Sequence, residues 1–97
     1  MNNYIILRRN AWSDSEALER AAGRASQVGS QRMADQLRWI RSYVIQETPG
    51  SLGTVCVYQA IDAGALREHA RRAELPCDEV MPVIRTVVIN EDPVERR

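Results

Sequence analysis

The stretch that decides the fold runs through the middle of the chain: LRWIRSYVIQET at 37–48, PGSLG at 49–53 and TVCVYQAI at 54–61. Both flanks are rich in β-branched and aromatic residues, and Pro49, Gly50 and Gly53 between them supply the chemistry of a turn. The pattern predicts a β-hairpin.

Upstream, Tyr4 to Arg9 (YIILRR) is a short aliphatic run suited to a first strand. Ser13-Asp14-Ser15-Glu16 then forms a capping box, with Ser13 as the N-cap and Glu16 as its reciprocal partner. The helix that follows has one apolar stripe, Leu18, Ala21, Ala22, Ala25, Val28 and Met33, so rich in alanine that it can sit close to a sheet. Gly29 and Ser30 weaken its second half, and an end or kink is expected between there and Asp35. Downstream of the hairpin, Asp62 caps a short second helix through Leu66, His69, Ala70 and Ala73, and Pro76 limits it. Val83 to Asn90 (VIRTVVIN) reads as the last strand. Residues 1–93 are expected to form one domain and 94–97 a frayed tail.

The order β-α-β-β-α-β, with right-handed crossovers, places both helices on one side of a four-stranded antiparallel sheet, a ferredoxin-like α+β fold. The other side stays uncovered. Sorting the strand positions by parity, we assign Ile40, Val44, Val55 and Val57 to the helix side, and Trp39, Arg41, Tyr43, Cys56 and Tyr58 to the open side. An open face carrying large aromatics predicts a homodimer joined through it, of the dimeric α+β barrel type, or a ligand pocket upon it.

Composition narrows the classes of function. The chain has 97 residues, the size of one domain, and thirteen basic residues balance thirteen acidic ones. No net positive field exists to recruit nucleic acid or an anionic membrane. No apolar run reaches the roughly 20 residues that span a bilayer, and the N-terminus lacks the apolar core of a signal peptide, so the cytoplasm is the expected location. Cys56 and Cys77 read as thiols there. No Gly-rich phosphate loop, Ser-His-Asp order or paired-cysteine zinc motif appears, which leaves no catalytic residue to nominate.

Two sets of residues could carry chemistry. His69, in REHARR at Arg67 to Arg72, is open to three readings: a structural imidazole, a metal ligand or a general base. Cys77, Asp78 and Glu79 follow it closely enough to complete a mixed N/S/O site for a divalent transition metal. On the strands, Trp39, Arg41, Tyr43, Tyr58 and Arg85 could line a small-molecule pocket, with the two arginines forking onto a carboxylate or phosphate. Such a pocket would suit an isomerase, cyclase or monooxygenase by analogy of fold.

The segments Trp39 to Val44, Val55 to Tyr58, Arg67-Glu68-His69-Ala70, Leu75-Pro76 with Asp78-Glu79-Val80, and Val83 to Pro93 resemble a bacterial family of small nickel-binding, ferredoxin-like proteins of otherwise unknown function. The resemblance implies a homodimer with capacity for nickel or a similar ion, no established catalysis, and His69 in the place of the motif's helix-two histidine. Members carry a second histidine shortly after it. This chain has Glu74-Leu75-Pro76 instead, leaving Cys77 or Asp78 as the replacement donor.

Overall fold

The computed structural model describes residues 1–47 and 49–90. Thr48, the charged segment 91–97 and the tail expected at 94–97 lie outside the described residues. The element order is β1 (Asn2–Trp12), α1 (Ser15–Arg32), β2 (Leu37–Gln46), β3 (Leu52–Ala60), α2 (Ala63–Ala73) and β4 (Glu79–Pro82). All strand pairs are antiparallel, in the spatial order β2-β3-β1-β4. This is the ferredoxin-like βαββαβ arrangement. No described helix is long and apolar enough to cross a membrane.

Helix α1 begins one residue later than the capping box suggests. Asp14, not Ser13, is the N-cap, and its carboxylate accepts the Ala17 N–H at 2.9 Å. The helix then runs unbroken through Gly29 and Ser30 and stops at Met33. Tertiary packing overrides the weak local propensity there: Ala21, Ala25 and Met33 are buried. Asp62 caps α2 as expected, accepting the Ala65 N–H at 2.8 Å, and Glu74 closes it in the left-handed region with φ 58°.

The register defines the two faces row by row. Trp39 pairs Tyr58, Tyr58 pairs Tyr4, and Ser42 pairs Cys56, which pairs Ile6. Tyr4, Ile6, Cys56 and Tyr58 are buried, with Trp39 packed against them, so these rows lie under the helices. The alternate rows, Arg41–Val57–Ile5–Met81 and Tyr43–Val55–Leu7–Glu79, lie on the uncovered side. The face assignment made from parity is therefore corrected for six residues. Trp39, Cys56 and Tyr58 belong to the helix side, whereas Ile40, Val55 and Val57 belong to the open side.

Two physical causes account for this. The register of β2 on β3 slips between Trp39 and Arg41, a bulge at Ile40 that puts Trp39 and Arg41 on opposite faces. The alanine stripe of α1 also offers little volume, so the sheet supplies the bulk of the core with Tyr58 and Trp39. Arg41 and Tyr43 do lie on the open side. Val44, expected on the helix side, shares that side by register with Thr54, yet at the sheet edge it remains exposed.

The last strand is displaced from the expected 83–90. Ladder pairing with β1 is confined to Glu79–Pro82; the Val83 N–H still donates to the Asn3 carbonyl at 2.9 Å, and 84–90 continues outside any strand. In that segment Ile84 is 99% exposed, Ile89 82% and Val88 72%.

Candidate functional site

His69 projects from α2 into the interface with α1 and is fully buried. Its Nε2 lies 2.8 Å from the Ala25 carbonyl oxygen, a geometry in which the nitrogen donates. Nδ1 is buried without a partner. The ring also meets Tyr58 at 5.7 Å between centroids, tilted by 60°, and Tyr58 in turn stacks on Trp39 at 5.9 Å. Burial pushes the His69 pKa down; the bond to Ala25 opposes the shift and the charge of Arg8 adds to it. His69 is thus a neutral core imidazole joining the two helices to the sheet.

The other candidate ligands lie elsewhere. Cys77 is half-buried against the core. Asp78 accepts the Arg9 backbone N–H at 2.6 Å, and its own N–H donates to the Leu7 carbonyl at 3.1 Å, which pins the start of β4 to β1. Glu79 is exposed on the open-face row of Tyr43. Among the described residues, no group of three or more His, Cys, Asp or Glu could hold a metal ion.

The set expected to line one pocket is divided by the sheet. Arg41 and Tyr43 line an open-face groove of about 630 Å³ between the sheet and the 83–90 segment, with Arg41 Nη1 3.4 Å from the Tyr43 hydroxyl. Arg85 lies in that segment and is exposed. Trp39 and Tyr58 line a different space, a cavity of about 190 Å³ between α1 and the helix side of the sheet.

That second cavity contains a residue the sequence reading passed over. Arg8 is 1% exposed, and its Nη1 donates to Cys56 Sγ at 3.1 Å. The same sulfur accepts from Ser42 Oγ at 3.0 Å, and Ser42 Oγ accepts from Trp39 Nε1 at 2.8 Å. Arg8 Nε and Nη2 are buried and have no hydrogen-bond partner. Burial pushes the Tyr58 phenol pKa strongly up, against the lowering effect of the Arg8 cation. A signal for Arg8 was present: it alternates with Tyr4 and Ile6 in β1, and that parity puts it on the same face as both.

An antiparallel sheet with two helices on one side, a fully buried histidine and an uncovered apolar face define a small ferredoxin-like α+β protein. The chain belongs to the family described as nickel responsive protein SCO4226-like, whose pattern matches residues 4–83. Its fold is that of the crystal structure of SCO4226 from Streptomyces coelicolor A3(2), with a TM-score of 0.69 at 17% identity over 88% of this chain and 99% of that one. No curated protein matches the chain.

The family description implies nickel, and the described residues of a single copy do not fit it. The imidazole of His69 uses one nitrogen on Ala25 and keeps the other in the core, with no second donor residue placed beside it.

Proposed function

We propose that this protein is a non-catalytic homodimer that shares its family's nickel response, two copies meeting through the uncovered sheet face and the 83–90 segment. The observation carrying this reading is the continuity of exposed apolar side chains there. Ile40, Tyr43, Ile45 and Met81 rise from the sheet, and Ile84, Val87, Val88 and Ile89 from the segment beside it. A monomer would leave this band in water, and apolar surface of that kind marks an interface. A two-fold partner presents the same band in return.

Nickel uptake, on this reading, draws on groups other than the buried imidazole. Glu79, exposed on the same face, is the candidate donor that remains. Calorimetric titration with nickel chloride of the wild type and of His69→Ala tests this. Equal binding by both is expected, with the variant less stable. Absence of nickel binding by the wild type would overturn the nickel reading, and loss of binding by a folded His69→Ala would return His69 to the ligand set.

The alternative, an open-face pocket enzyme, loses Trp39 and Tyr58 to the opposite side of the sheet. The groove retains Arg41 and Tyr43 alone from the expected set.

A further inference from the structure

The cavity of about 190 Å³ between α1 and the helix side of the sheet is walled almost entirely by apolar surface. Leu18, Ala21, Ala22 and Ala25 line it from α1, and Trp39 and Tyr58 from the sheet. The polar groups of the wall are engaged with one another. Trp39 Nε1 donates to Ser42 Oγ at 2.8 Å, Ser42 Oγ donates to Cys56 Sγ at 3.0 Å, and the thiol donates to Thr54 Oγ1 at 3.4 Å. Arg8 Nη1 donates to the same sulfur, and Arg8 Nε and Nη2 are inaccessible from the space. We propose that this cavity binds one small, uncharged hydrocarbon ring, of the size of benzene or toluene, through carbon contacts alone.

The space stays open because neither wall can close on it. The alanine side chains of α1 are too short to reach the sheet. On the other side, the hydrogen bonds running from Trp39 to Thr54 and the stack of Trp39 on Tyr58, at 5.9 Å between centroids, hold the large side chains in place. Exposed Glu19 and Val44 mark the mouth.

The wall chemistry selects the occupant. A buried water needs roughly two to four polar partners, and this wall offers none. An apolar cavity of roughly 150 Å³ remains dry and takes up benzene. The space here is larger by about the volume of a methyl group. A void leaves its lining without dispersion partners on one side, and a ring restores them. Beside Trp39 and Tyr58 an aromatic ring also gains contact energy beyond the area it buries. A hydroxyl or a charge carried inward would lose its hydration and find nothing in exchange. The site lies on the opposite side of the sheet from the proposed dimer face, so it stands or falls independently of that reading.

Both tryptophans of the chain, Trp12 and Trp39, line the cavity, so their fluorescence and indole N–H resonances report on it directly. The probes are toluene and benzene-1,3,5-triol, which share a ring. Wherever that ring sits, at least one hydroxyl of the triol must face the apolar wall. Toluene is expected to saturate the full chain, to move the indole resonances and to raise the melting temperature, as a ligand selective for the folded state does. The triol is expected to bind at least about tenfold more weakly, the usual loss for a buried hydroxyl without a partner. Ala22→Leu, which fills the cavity, is expected to remove toluene binding. Should that variant fail to fold, the two probes compared on the wild type decide the matter. No saturable change up to about 3 mM toluene, saturation that moves neither indole resonance, equal affinity for the triol, or undiminished toluene binding by a folded Ala22→Leu would overturn the proposal.

Discussion

Holding His69 neutral inside the core ties stability to pH at a single side chain. Its folded pKa is depressed by burial, so below about 6.5, the ordinary histidine value, the unfolded chain binds a proton that the folded chain refuses. Stability is fully present above that pH and falls as the pH drops through the window, no more steeply than about 1.4 kcal/mol per pH unit, one proton's worth. Thermal melts between pH 7.5 and 5.5 are expected to show this slope in the wild type. In His69→Gln, which retains a donor for the Ala25 carbonyl without titrating, the slope disappears. The carboxylates act in a separate window. Glu68, paired with Arg71 and Arg72, has its pKa lowered to about 2, so its contribution is lost only as the pH falls below the ordinary carboxylate range. A slope unchanged by His69→Gln would show that another group titrates between pH 5.5 and 7.5.

At the scale of the element, β1 carries the irregularity that shapes the end of the cavity. Its register on β3 shifts between Arg8 and Trp12, and Asn10 takes a positive φ of 48°. Glu47, arriving from the end of β2, secures the distortion by accepting from Arg9 Nε at 2.6 Å and from the Asn10 backbone N–H. Gly53 is what lets Glu47 approach: a β-carbon there would lie 2.7 Å from the Arg8 carbonyl oxygen and run into the Glu47 carboxylate. Gly53→Ala is therefore expected to destabilise the protein by about 1–3 kcal/mol in urea melts, the usual cost of overpacking. A melt superimposable on the wild type would show that the strand yields instead.

Five of the six elements were legible because each rests on local chemistry: a turn at 49–53, a capping signal before each helix, with the first cap falling on Asp14 rather than Ser13, and β-branched runs between them; the sixth, β4, lies at Glu79–Pro82 and not at 83–90. Their facing was not. Parity states which residues share a side of β3 but not which side meets the helices, and the usual preference for aliphatic residues inside misled at Val55 and Val57. Those valines lie on the face proposed to meet a second copy, while Tyr58 and Cys56 fill the space the alanines of α1 leave. The bulge at Ile40 had no marker such as a glycine or proline. His69 as a member of a donor set was likewise unreadable in sequence, because proximity along the chain placed Cys77, Asp78 and Glu79 near it and the fold does not gather them.

Across the whole molecule, the sheet divides the protein into two working sides. Beneath the helices lies the core, with the buried Arg8 guanidinium bonded to Cys56 Sγ and a cavity beside it. On the other side lies a broad apolar surface with an exposed, irregular segment at its margin. That segment carries the VIRTVVIN pattern of a strand without a strand's partner. Two-fold pairing of open faces would bury both the sheet residues and the segment at once, which is why a second copy of the chain is the occupant we assign to this surface.

The most direct test of that assignment is solution mass, measured by light scattering on the wild type, on Ile40→Asp/Val87→Asp, and on a control, Gln27→Glu, on the exposed side of α1. The account predicts a mass twice the 11.0 kDa of one chain for the wild type and the control, and a single chain's mass for the folded double variant. A wild type that remains at 11.0 kDa, or a double variant that still dimerises, would contradict it.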